Sequence, residues 1–358
     1  MATVNTENTV IKKETKNSIS VDYEGKMTFK ERLMEKLKSS HTWISAVINF
    51  FRFILMLGVS FVILYPFFAR IANSFMTKDD ILDATVSLVP KNPTLEIYQS
   101  IFVENSYMEA FVNTLILSLV CSLIQMLVAC LVGYGLAKFK FKGNGIVMIL
   151  VIVTMVIPHN ALSTSLRNHF ANFDLMTVQS WDYPGIIELL TGDPDGVRLT
   201  YSFWPMIILS IGGLAFKNGL YIYLMRQFFK GVPDELEESA YVDGSGTFHT
   251  FFVIILPLAV PMMITVFLFS FSWQWTDEFY TNLFLDSDLP TLDVTMMPDV
   301  YKSMPEAIAP SKGYGATALY TNVVQNTAGM MIIAPLIIMY LFCQRYLVEG
   351  IERSGIVG

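Results

Sequence analysis

Residues Gly231 to Met263 read GVPDELEESAYVDGSGTFHTFFVIILPLAVPMM, and the fold turns on how this stretch is read. Pro233 suits the first turn of a helix, where its missing N–H is not needed. Asp234, Glu235, Glu237 and Glu238 follow, and negative charge is favoured at a helix N-terminus. Gly244 and Gly246 can end that helix, because glycine accepts the left-handed dihedrals of a C-terminal cap. Leu256-Pro257 and Val260-Pro261 then interrupt a long apolar run, which a membrane helix tolerates better than a soluble one. The stretch therefore predicts a short water-exposed helix held between two membrane spans on one face of a bilayer.

The rest of the chain agrees with a membrane setting. Of its 358 residues, 53% are hydrophobic and 15% charged, against about 25% charged in ordinary soluble domains. The mean hydropathy is +0.49, and long windows carry no charge at all. The net charge of −7 says little about partners. Cys121, Cys130 and Cys343 all sit in apolar runs and read as small buried hydrophobes. The four histidines, His41, His159, His169 and His249, do not cluster in sequence, so no metal site is expected.

Six apolar segments follow a polar tail at residues 1–45, at roughly 49–73, 111–137, 144–165, 203–225, 251–275 and 326–344, each near the length that spans a bilayer. In the tail, TFKERLMEKLK (residues 28–38) has helical apolar spacing and reads either as an amphipathic surface helix or as a solvated tail. The fold class expected is all-α: a polytopic membrane protein with six transmembrane helices over residues 46–358. Lys and Arg set its orientation. Eight lie in the N-terminal tail, three (Lys138, Lys140, Lys142) between segments two and three, two (Arg226, Lys230) between four and five, and two (Arg345, Arg353) at the C-terminus. The long opposite loops hold six. Both termini and the acidic helix at about 232–246 are thus expected on the cytoplasmic side. The outer loop 276–325 is long enough for local structure.

At Glu238 the spacing becomes specific: Glu238-Ser239-Ala240, three residues, Gly244, nine residues, Ile254, one residue, Leu256-Pro257. This resembles the E-A-A-x3-G-x9-I-x-L-P loop of binding-protein-dependent ABC importer permeases, with Ser239 in place of the usual Ala. The likeness extends to Trp273-Gln274-Trp275-Thr276-Asp277-Glu278-Phe279, to the ending QRYLVEGIERSGIVG, to Asn113-Thr114 and Tyr134 to Phe139 at the two ends of the second segment, and to Pro158 in the third. Those stretches are most similar to the carbohydrate-uptake permeases of the maltose and multiple-sugar type. The ending departs from their pattern at Ile356 and Val357.

The resemblance implies a type I permease subunit in a bacterial cell membrane, coupled to a cytoplasmic ATPase and moving a sugar or oligosaccharide. The implied partners are a second permease, two ABC ATPase subunits and an extracytoplasmic solute-binding protein, besides membrane lipid; no nucleic acid is implied. Glu238, Ser239, Ala240, Asp243, Gly244, Leu256 and Pro257 are the expected ATPase-coupling residues. No G-x4-G-K-[ST] loop is present, so no cofactor is expected here and ATP is expected on the partner subunit. Lys217, Asn113, Gln274 and Trp275 are the candidates for the translocation pathway. A charge such as Lys217 inside an apolar segment reads either as a pathway contact or as snorkelling to an interface. Trp273 and Trp275 read as an interfacial belt or as sugar-stacking rings, and Asn113, Gln125 and Gln274 as helix–helix bonds or sugar contacts. A polytopic enzyme would need paired intramembrane carboxylates or histidines, which the six segments lack. A channel acting alone leaves the spaced acidic helix without a purpose.

Overall fold

The computed structural model describes residues 13–14, 20–21, 40–104, 107–174, 197–285 and 318–355. Residues 1–69 and 70–358 form two compact units. In the first, β1 (Lys13–Glu14) pairs antiparallel with β2 (Ser20–Val21), and helix α1 (Ser40–Ser74) begins. Residues 28–38 lie outside the described residues. The α1 side chains from Phe50 to Leu57 are exposed all round, which suits a helix whose surroundings are lipid tails or another apolar chain.

The second unit carries α2 (Lys78–Leu82), α3 (Glu96–Glu104), α4 (Tyr107–Lys138), α5 (Asn144–Val156), α6 (Ser163–Ala171), α7 (Trp204–Ile211), α8 (Asn218–Lys230), α9 (Glu235–Val242), α10 (Thr247–Trp275), α11 (Phe279–Phe284) and α12 (Ala318–Gly355). Among the described residues, four helices are long and apolar enough to cross a membrane: α1, α4, α10 and α12. All six apolar segments are helical, but two are not single continuous spans. In the third, Ile157 is forced extended by Pro158, and the chain bends by 93° before continuing through His159–Ala171. Counted as one, that pair is a fifth span. In the fourth, α7 is only 8 residues and stops at Ile211. Gly213 (φ 69°) and Lys217 (φ 64°) then take left-handed dihedrals, and α8 restarts at Asn218.

Helix α4 is the axis of this unit: α8, α10 and α7 all pack on it, while α12 packs on α10. Small residues permit the closest approaches. A Cβ on Gly133 would lie 2.7 Å from the Met225 Cβ, and one on Gly219 would lie 2.9 Å from the Val151 carbonyl. Three apolar cores result. One joins Tyr134, Met225, Phe229, Phe251 and Ile255 near α9. A second joins Ile97, Ile101, Phe271, Trp275 and Val324. A third joins Leu117, Phe170, Met206, Tyr280 and Phe284.

Polar bonds stitch the helices where the backbone is interrupted. Pro335 has no N–H, so the Met331 carbonyl four residues earlier loses its helical donor; the Tyr107 hydroxyl donates to it at 3.1 Å. Trp275 Nε1 donates to the next carbonyl, Ile332, at 3.0 Å. Gln125 Nε2 donates to Ser210 Oγ at 3.2 Å across α4 and α7. Ahead of α3, the buried Asp80 accepts from the Asn92 amide at 2.7 Å, so the connection between α2 and α3 is pinned to the fold.

Candidate functional site

The acidic stretch folds as the eight-residue helix α9, Glu235–Val242. Its N-terminus has no side-chain cap from Asp234. Asp234 instead accepts from Lys138 Nζ at 2.6 Å, and the same ammonium donates to the Val232 carbonyl at 2.6 Å. The Lys138 side chain is 5% exposed and that of Asp234 is 76% exposed, so the tether starts inside α4 and reaches out to the loop. The hydrogen bond from Lys138, with its charge, holds the Asp234 carboxyl below its ordinary pKa.

The C-terminus ends in a Schellman motif. Gly244 sits at φ 85°; its N–H donates to the Tyr241 carbonyl at 3.0 Å, and the Ser245 N–H donates to the Ala240 carbonyl at 2.9 Å. A Cβ on Gly244 would meet nothing within 4 Å, so within this chain its dihedral, not crowding, asks for glycine. Gly246, at φ −79°, instead precedes the next helical turn. Thr250 and Phe251 plunge into the core, where residues Thr250–Ile255 widen to a π-helical turn just ahead of Leu256 and Pro257.

Seen from solvent, α9 is two-sided. Ala240 and Glu237 face inward, at 5% and 8% exposure. Glu238, Ser239 and Asp243 are exposed, and Val242 and Phe248 stand out at 87% and 81%. Behind the helix Tyr134 packs against Phe251 (centroids 4.5 Å apart), Phe229 (5.4 Å) and Phe139 (5.6 Å). Sequence reasoning missed Lys138 and Tyr134 as the supports of α9. The available signal was a lysine ending one apolar segment and an acidic run opening beyond another.

The four pathway candidates differ in their surroundings. Trp275 is 1% exposed, bonded to Ile332 and stacked on Phe271 at 5.5 Å, so it is neither belt nor sugar platform in this conformation. Gln274 Nε2 approaches Met206 Sδ at 3.5 Å, and Asn113 is half-buried on α4. Lys217 is not within a helix: it ends the break before α8. There it lines a cavity of about 490 Å3 with His159, Phe216, Asn218 and Phe279. Its Nζ lies 4.9 Å from the Phe216 ring and 5.2 Å from Trp273. Asp277, quoted above only as part of a motif, accepts from the Tyr280 and Thr281 amides and so starts α11.

Comparison with known proteins agrees with this geometry. Residues 125–353 match the model of the binding-protein-dependent transport system inner membrane component family. The chain is 28% identical over 293 residues to a probable starch degradation products transport system permease protein of Thermoanaerobacterium thermosulfurigenes, covering 81% of this chain and 90% of that protein. It is 26% identical over 312 residues to the galactooligosaccharides transport system permease protein of Bacillus subtilis, covering 86% and 95%. A solved bacterial ABC transporter involved in the import of the acidic polysaccharide alginate shares the fold, with a TM-score of 0.64 and 19% identity over 86% of this chain and 98% of that one. The chain belongs to the binding-protein-dependent transport system inner membrane component family, and it is a transport permease rather than a polytopic enzyme or a channel acting alone.

Proposed function

We propose that this permease is one half of the translocation pathway of an ATP-driven importer for a sugar or oligosaccharide in a bacterial cell membrane. It pairs with a second permease, receives substrate from an extracytoplasmic binding protein and has both termini in the cytoplasm. Two ATPase subunits bind the ATP and dock on the permease pair through α9. The relatives' named substrates, starch degradation products and galactooligosaccharides, support the sugar class.

One observation carries the docking reading. A rigid, capped helix projects from the bundle, and its solvent side mixes the carboxylates Glu238 and Asp243 with the bare apolar side chains Val242 and Phe248. Apolar groups this exposed beside charge mark a protein contact rather than a lipid face. Because α9 is anchored on one side by Lys138 and on the other by Thr250 and Phe251, a push on it is passed to α4, α8 and α10. The test is co-purification from membranes followed by uptake in proteoliposomes. An ATPase subunit should accompany the wild-type chain and support ATP-driven oligosaccharide uptake. Glu238→Lys should leave insertion intact and lose the coupling; a chain that purifies alone and transports without ATP would overturn the reading.

A further inference from the structure

Helices α4 and α5 are joined by Phe139-Lys140-Phe141-Lys142-Gly143. The connection is pinned. Asn144 Nδ2 donates to the Leu136 carbonyl at 3.2 Å and to the Phe139 carbonyl at 3.0 Å, and the Asn144 amide donates to the Phe141 carbonyl at 3.3 Å. On both sides the chain runs at once into apolar helix. At about 3.3–3.6 Å per residue, so short a connection rises no more than about 10 Å above the helix ends even when extended, and the turn at Phe141 shortens that. One polar headgroup layer of a bilayer is about 5–8 Å deep. The hairpin is therefore confined to headgroup depth, where its outward side meets lipid.

Charge and apolar surface meet there. Phe139 and Phe141 are 44% and 46% exposed, and Lys140 and Lys142 are exposed beside them. On α5, Ile146, Ile149, Leu150 and Val153 are exposed; spaced i, i+3, i+4, i+7, they form one stripe of the helix. Exposed lysines are solvated and need no partner; what these two add is a positive end to an apolar stripe. Arg226 Nε donates to the Leu136 carbonyl at 3.4 Å, the oxygen that Asn144 also uses, so a fourth cation joins Lys138, Lys140 and Lys142 at this turn. Asp234 is engaged by Lys138, and the exposed Glu235 and Glu238 form no ion pair with these cations among the described residues. The combination selects an amphiphile with a negative headgroup. A free anion gains nothing from the stripe. A zwitterionic lipid gains the stripe but brings its own cation to the lysines. We propose that the hairpin and the α5 stripe bind an anionic glycerophospholipid of the leaflet on the α9 side. Its phosphate lies at Lys140 and Lys142, an acyl chain runs along the stripe, and Phe141 marks the boundary between them. The assignment rests on α4 and α5 entering a bilayer and not on the importer reading.

The experiment is photo-crosslinking in nanodiscs that hold the purified permease with its associated subunits. Phosphatidylglycerol and phosphatidylcholine carrying the same diazirine acyl chain are compared below saturation, and labelled peptides are mapped by mass spectrometry. In wild type, residues 139–156 should take more label from phosphatidylglycerol than from phosphatidylcholine. Unlabelled phosphatidylglycerol should compete for that label, and glycerol phosphate should not. Lys140→Gln with Lys142→Gln should cut the phosphatidylglycerol label there by about tenfold or more, the worth of two lysines at a charged leaflet, and leave the phosphatidylcholine label within twofold. Arginine at both positions should retain the preference. Lys230→Gln with Arg345→Gln, which removes equal charge elsewhere, should leave the label within twofold. Equal labelling by the two lipids in wild type would mean a plain lipid face, equal loss in the two charge-matched variants a diffuse field, and label that appears only after an ATPase is stripped away a protein contact. Each would overturn the assignment, and the first needs no variant to fold. Failure of the importer reading shows separately, as absent ATP-driven uptake, and leaves the lipid comparison standing.

Discussion

Gly244 holds φ at 85° with open space where a side chain would stand, and those two facts separate conformational cost from steric cost. Alanine there should cost about 1–2 kcal/mol for the left-handed backbone. Asparagine, which visits that region readily, should cost less. Gly244→Ala is therefore expected to loosen the end of α9 and reduce ATP-coupled uptake in proteoliposomes, with Gly244→Asn closer to wild type. If the two variants are equally impaired, the site is limited by contact with the ATPase and not by dihedral. Lys138 makes the complementary case at the other end. A carboxyl with a depressed folded pKa stabilises above its ordinary value and loses that contribution as pH falls through the depressed one. The Lys138–Asp234 pair should thus be constant from about pH 5 to 8, and a pH series of uptake should show no step from Asp234. Lys138→Met should impair coupling more than Asp234→Asn, because only the first also removes the donor to the Val232 carbonyl.

At the scale of elements, the interruptions matter as much as the helices. Pro335 frees the Met331 carbonyl and Tyr107 answers it. Tyr107→Phe should lower the thermal unfolding midpoint of the purified complex, by the equivalent of about 0.5–1.5 kcal/mol. In a Pro335→Ala background the same change should cost less, since the restored amide takes the carbonyl; an unchanged cost would mean that the hydroxyl acts elsewhere. Gly219 tests packing in the same assay. A side chain there meets Thr154 and the Val151 carbonyl of α5 at under 3.0 Å, so Gly219→Leu should destabilise by about 1–3 kcal/mol or more. Much of this layer was legible in the sequence: the apolar windows, the acidic helix and Gly244 as its stop follow from hydropathy and from glycine's dihedrals. The 93° bend carried its own signal in Pro158. The break at Gly213–Lys217 carried one as well, in the Gly212-Gly213 pair, but an apolar window averages over it, and on hydropathy alone Lys217 reads as lying inside a span. Trp275 is ambiguous in sequence for a related reason. An aromatic near the end of a span fits an interfacial belt equally well, and only the tertiary partner Ile332 shows that it faces inward.

Across residues 70–358 the continuity of the helices decides what can move. Helices α4 and α10 run unbroken between the core behind α9, built on Tyr134, Phe229 and Phe251, and the cores at their other ends. The third and fourth apolar segments are both interrupted, and the two interruptions meet at one cavity. Rotation at a pair of aligned breaks needs few backbone changes, whereas relative motion inside the Tyr134 core would disturb close packing. Helix α9 should therefore move as one body with the ends of α4, α8 and α10, and the change should be taken up at the breaks. Spin labels on the exposed residues Lys140 and Glu238 should keep one distance distribution in nucleotide-free and ATP-trapped complexes. A pair on Glu238 and the exposed Asn282 of α11 should shift between those states. The reverse pattern, a shifting Lys140–Glu238 pair with a constant Glu238–Asn282 pair, would mean that α9 swings on its Lys138 tether and that the breaks are rigid.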